Sequence, residues 1–194
     1  MNQNTKGLKG EKSKEQLIAC AARLFLEKGY NATGINEIIS SAGLSKGSFY
    51  FYFSSKKDLA ISVVEYYSQM KLTEVSETAR NKTWEDFIEK LVDDILKTTK
   101  RGGNFGCPMA VLGMETAFLD PDIAAKNYAS LKSMIGIFED VLKRSGISQE
   151  KAAIGAERAF AIYEGYLLLY RLSKDICELE KILRDLKELY EHLK

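Results

Sequence analysis

The stretch from Thr33 to Lys56, TGINEIISSAGLSKGSFYFYFSSK, constrains this chain more than any other. Ile35, Ile38, Ile39 and Ala42 recur at helical spacing and share one face. Gly43 then breaks the pattern, and glycine tolerates the left-handed backbone that a tight turn needs. Ser45 follows as a cap for a second short helix through the aromatic run Phe49-Tyr50-Phe51-Tyr52-Phe53. Such a run also suits a strand. A lone strand between helices, however, has no partner for its backbone hydrogen bonds. The spacing therefore predicts a helix, the turn Ala42-Gly43-Leu44, and a second helix that opens on small residues, Ser45, Gly47 and Ser48. That is a helix-turn-helix, a device that offers the second helix to a major groove.

The surrounding sequence reads as helix throughout. Only two prolines occur in 194 residues, so long helices run unbroken. Residues 1–12 read as a flexible basic arm. Ser13, with Gln16 three residues on, resembles a capping box that opens a helix with Leu17, Ala21, Leu24 and Phe25 inward and Gly29 past its end. A fourth helix starts near Ser55 and connects onward to about residue 74. Further helices are expected over 81–99, after Pro108, from Asp120-Pro121-Asp122 to Gly146, and over 152–172. The last of these is apolar on nearly all sides, which marks burial. The final helix carries Ile176, Leu179, Leu183, Leu186, Tyr190 and Leu193 at spacings of 3, 4, 3, 4 and 3, a heptad seam. No strand and no internal repeat is legible.

Charge divides along the chain. Residues 1–58 hold nine Lys/Arg against five Asp/Glu, net +4, leaving 19 against 22, net −3, for the remainder. A basic front suits a nucleic-acid partner. Cys20, Cys107 and Cys177 are odd in number and far apart, which disfavours a disulfide framework or zinc site and fits a reducing cytoplasm. A single histidine, His192, leaves no basis for a metal site or a catalytic pair. No cofactor and no enzymatic activity are expected. No apolar run is long enough to span a bilayer, so no membrane partner is expected either.

From Ala42 to Leu59 the sequence AGLSKGSFYFYFSSKKDL resembles the DNA-binding domain of the TetR family of bacterial regulators. The resemblance covers roughly residues 13–60. It implies an all-α protein: a three-helix DNA-binding domain over 13–58 and a larger helical ligand-binding and dimerisation domain over 75–194. It further implies a cytoplasmic homodimeric repressor that grips a palindromic double-stranded operator and leaves it when a small-molecule inducer binds. Carried over by position, Thr33 would cap the first motif helix and touch a phosphate. Ser45, Lys46, Gly47 and Ser48 would face base edges or the adjacent backbone. Tyr50 would meet a phosphate or a thymine methyl, Phe51 and Tyr52 would approach the backbone, and Lys56 would hold a phosphate. Phe49 and Phe53 would be core. Phe51 stands where the family often carries a polar aromatic, so stacking or a methyl contact replaces a hydrogen bond there.

In the remainder, Phe105, Cys107, Met109, Met114, Phe118, Tyr128, Met134, Phe138, Tyr163 and Tyr166 are candidates to line an apolar inducer pocket, with Glu115 as a polar anchor. Phe160, Tyr163, Leu167, Tyr170, Ile176, Leu179, Leu183, Leu186 and Tyr190 are candidates for a two-fold four-helix interface. Activation instead of repression, a redox or protein signal at Cys107 or elsewhere, and a carrier or enzyme remain as alternatives at this point.

Overall fold

The computed structural model describes residues 3–103 and 106–194. Among these, every regular element is an α-helix: α1 (Gln3–Lys28), α2 (Ile35–Ser41), α3 (Lys46–Tyr52), α4 (Lys56–Ala79), α5 (Trp84–Lys100), α6 (Pro108–Thr116), α7 (Pro121–Arg144), α8 (Gln149–Ser173) and α9 (Cys177–Leu193). No helix of the described residues is long and apolar enough to cross a membrane.

Local chemistry sets several boundaries. Ser45 caps α3 by accepting the Ser48 N–H at 3.1 Å. Ser55 accepts the Asp58 N–H at 3.1 Å and caps α4, while the Asp58 carboxylate accepts the N–H of the preceding residue, Ser54, at 3.0 Å. At α5 the Thr83 hydroxyl accepts the Asp86 N–H at 3.3 Å and donates to the Asp86 carboxylate at 2.9 Å. Gly43 turns between α2 and α3 at φ +63°. The start of α1 differs from expectation. The helix begins at Gln3, ahead of Ser13, so residues 3–12 are helical instead of a loose arm. No proline interrupts the stretch, and Lys, Glu, Gln and Leu propagate a helix once its nucleus exists.

The chain forms two compact units. The first comprises Met1–Gln69 with Pro108–Tyr128. There α1 packs on α2, α3 and α6. Leu17, Phe25, Ile38, Phe49, Phe53 and Leu59 fill its interior, each at most 2% exposed. Residues 108–128, read from sequence with the C-terminal part, therefore fold with the N-terminal helices.

The second unit comprises Met70–Cys107 and Ala129–Lys194, with α9 packed on α5 and α8. Trp84 lies at its centre, fully buried, against Phe87, Phe138 and Tyr190. Its indole N–H donates to the Leu186 carbonyl at 3.3 Å. The heptad seam faces inward. Leu179, Ile182, Leu186, Tyr190 and Leu193 are buried within the one chain, as are Phe160, Tyr163, Leu167 and Tyr170. This corrects the expected interface list, of which only Ile176 and Leu183 keep partial exposure. The seam packs on α5 and α8 of its own chain, so it is not free for a mate. The apolar surface left over on α8 is a different stripe: Ile154, Leu168, Leu169 and Leu172, 41% to 74% exposed.

Candidate nucleic-acid interface

Helix α3 has two distinct faces. Phe49 points inward and is 0% exposed, and Phe53 just beyond the helix is 2% exposed. Outward lie Lys46 and Gly47 on the first turn, then Tyr50 and Phe51. Lys46 and Tyr50 stand four residues apart, so they neighbour each other, with the ammonium 6.0 Å from the ring centroid. Phe51 is 79% exposed and meets half-buried Tyr52 edge-to-face at 4.8 Å. Ser45 spends its hydroxyl on the cap and on Ser48, leaving Lys46, Gly47, Tyr50 and Phe51 as the presented surface.

Two residues expected at phosphates are committed elsewhere. Thr33 is 1% exposed, and its hydroxyl donates to the Gly29 carbonyl at 2.7 Å. The residue before α2 is Gly34, which makes no side-chain cap. Lys56 donates to the carbonyls of Tyr30 at 3.0 Å and Thr33 at 3.1 Å, and its ammonium lies 4.3 Å from the Tyr30 ring centroid. Burial pushes the Lys56 ammonium below its ordinary range, with nearby Glu115 opposing. Thr33 and Lys56 thus brace the loop between α1 and α2. Gln16, expected in a capping box with Ser13, instead donates its amide to the Ala42 carbonyl at 2.8 Å and ties α1 to the helix-turn-helix turn.

The α6–α7 elbow completes this frame. Glu115 accepts the Asn31 N–H at 2.9 Å. It can enter because Gly29 has no side chain: a Cβ there would lie 2.5 Å from Glu115 Oε1, and Gly29 also holds φ +97°. Lys57 pairs with Asp120 at 2.6 Å and Asp122 at 2.7 Å. Glu115 is therefore a brace of the loop between α1 and α2 and does not share a unit with Met134, Phe138 and Tyr163.

The expected pocket residues divide between the two units: Met109, Met114, Glu115, Phe118 and Tyr128 belong to the first, and Cys107, Met134, Phe138, Tyr163 and Tyr166 to the second. Phe105 lies outside the described residues. Met109 is buried in the first unit, where Met114, Phe118 and Tyr128 are 58%, 98% and 64% exposed. Those three do not line an apolar interior. Met134, Phe138 and Tyr163 are core of the second unit, with Phe138 and Tyr163 centroids 6.1 Å apart. The Tyr166 hydroxyl donates to Asp185 at 2.5 Å, bridging α8 to α9. A groove of about 470 Å³ between the ends of α4 and α7 is lined by Ser76, Arg80, Ile137, Asp140, Lys143 and Arg144 with Ala79, none of them anticipated.

Sequence reading also missed Glu164, a carboxyl set into the apolar α8. Burial pushes it up to about 7, against a hydrogen bond from Cys107 that pulls it down. The lone acid between Tyr163 and Gly165 was the available signal. An acid with a raised native pKa favours folding below the unfolded value of 4.5, and that support is lost as pH rises through about 7. Glu164→Gln is accordingly expected to gain on the order of 3 kcal/mol over the parent at pH 8 and nothing at pH 4. Denaturation midpoints measured across that range check it, and parallel curves for the two proteins would contradict it.

Comparison with known proteins agrees with this geometry. Residues 17–63 match the model of bacterial regulatory proteins of the tetR family, and residues 82–185 match that of the LmrA/YxaF-like transcriptional regulator C-terminal domain. The uncharacterized HTH-type transcriptional regulator YxaF of Bacillus subtilis is 29% identical over 168 residues, covering 84% of this chain and 87% of that protein. The HTH-type transcriptional regulator LmrA of the same organism is 28% identical over 169 residues, covering 84% and 88%. A TetR transcriptional regulator of Legionella pneumophila superposes with a TM-score of 0.81 at 25% identity, covering 90% of this chain and 95% of that one. These matches place the chain in the TetR family of DNA-binding transcriptional regulators, with an LmrA/YxaF-like C-terminal domain.

Proposed function

We propose that this regulator is a cytoplasmic homodimeric repressor that holds a palindromic operator with one α3 per protomer in successive major grooves. A small apolar or aromatic inducer in the C-terminal part releases it. The observation that carries the DNA reading is the pairing of a fully buried Phe49 with the outward set Lys46, Gly47, Tyr50 and Phe51 on one seven-residue helix. A core helix would bury both faces, and a merely solvated one would not expose a phenyl ring. Ser48 and Tyr52 flank that face, half-buried, and steady it.

The dimer is supported by the exposed α8 stripe. Ile154, Leu168, Leu169 and Leu172, with exposed Ala161 and Gly165 between them, offer a close-approach apolar surface to a two-fold mate. Induction is supported by continuity of the chain, since α4 and α7 each begin in the first unit and end in the second. A ligand shifts the dimer between DNA-competent and incompetent states only by binding one of them better, and operator DNA must weaken that ligand by the same factor.

Lys46→Ala tests the DNA face. Loss of one phosphate charge per protomer is expected to flatten the log–log salt dependence of operator binding by about 0.9 per lysine, about 1.8 for the dimer. Titrations at several salt concentrations read this directly. An unchanged slope would remove Lys46 from the phosphate backbone.

A further inference from the structure

We infer that Phe51 reads the C5-methyl of one thymine in each operator half-site and sets base preference there. The inference rests on the proposal that α3 enters the major groove. It goes beyond that proposal by giving one side chain one base. A phenyl ring offers neither donor nor acceptor, so it bonds no phosphate oxygen and no polar base edge. Among the groups the major groove displays, the thymine methyl is the apolar one. At 79% exposure, Phe51 keeps most of its ring in water in the free protein, and contact with a methyl would relieve that.

The geometry favours such a contact. Side chains on a helix lean toward its N-terminus, so Phe51 leans along the row that begins at Gly47. A Cβ at Gly47 would meet only Ser45 Oγ, at 3.7 Å, so the ring stands beside bare, open backbone. A flat base edge can approach there without a side chain in the way. The edge-to-face contact with Tyr52, at 88° between planes, restrains the ring. The neighbouring row, Lys46 and Tyr50, carries the charge and the hydroxyl. α3 thus presents a polar row and an apolar row side by side.

The test uses the full-length protein and its selected operator duplex, with each symmetric pair of thymines replaced in turn by deoxyuridine. That base pairs as thymine does but lacks the methyl. The parent protein is expected to lose roughly fourfold affinity per half-site, about fifteenfold for the two, at one thymine pair and not at the others. Phe51→Ala is expected to bind the thymine operator weaker by the same factor and to be indifferent to deoxyuridine at that pair. Its exposed position leaves the core intact, which helicity and melting confirm. Indifference of the parent to every replacement, persistence of the discrimination in Phe51→Ala, or its loss in Tyr50→Ala alone would overturn the inference while DNA binding itself stands. Failure to select any duplex would overturn both.

Discussion

Trp84→Ala is expected to cost about 4 kcal/mol of stability, which places it among the most damaging single substitutions in the chain. The indole is 0% exposed and fills the junction of α5, α7 and α9 against Phe87, Phe138 and Tyr190, at centroid distances of 5.9, 5.9 and 6.3 Å. Those rings extend to Phe160 and Tyr163 on α8 through Phe138, so the cavity left by alanine has aromatic walls that cannot collapse without breaking edge-to-face packing. The variant also loses the hydrogen bond to the Leu186 carbonyl. Trp84→Phe keeps most of the volume and loses that bond, so it is expected to cost about 1 kcal/mol. Denaturant titration of both variants checks the ratio. Equal losses would mean that the hydrogen bond, and not the packing, holds this centre together.

The largest effect on DNA binding is expected from Leu168→Glu combined with Leu172→Glu. The two positions lie one helical turn apart on the outward stripe of α8, 41% and 74% exposed, so the folded protomer has no reason to reject them. Across a two-fold axis they would set four carboxylates against one another in an apolar contact, which the interface cannot accommodate. Sedimentation is expected to show a folded monomer. Operator affinity is expected to fall at least a hundredfold, because the second reading head no longer binds at the high effective concentration its mate provides. A dimer that survives both substitutions would move the interface off this stripe. Leu186 and Phe160 make poor probes of dimerisation by contrast, since both are buried in the protomer and their loss unfolds it.

The difference between those two sets shows where sequence reading reached and where it stopped. The helix-turn-helix was legible because its determinants are local: Gly43 in the turn, the Ser45 cap, and Phe49 recurring to Phe53 all lie within one short stretch. Heptad spacing in α9 correctly marked a buried face. Periodicity says that a face is covered, however, and is silent on whether the cover is a mate or the same chain. Here it is α5 and α8. Gln16 and Lys56 escaped for a related reason, because their carbonyl partners lie 23 to 26 residues away and are set by tertiary packing. Met114, Phe118 and Tyr128 show a different limit, that of address. Phe118 and Phe138 are the same residue type, yet one is 98% exposed and the other fully buried. Glu164 was overlooked because a helix judged by its apolar majority hides an acid set among its apolar residues.

Selection of genomic fragments by the purified full-length protein, read by sequencing, tests the central claim most directly. A TetR-family dimer that reads DNA with α3 is expected to enrich a palindrome whose half-sites are centred about one helical turn apart, or a small multiple of it. Lys46→Ala is expected to weaken recovery of that same palindrome. Failure to enrich any sequence at low salt, with refolded protein behaving as the original, would contradict the assignment of the presented face of α3 to DNA.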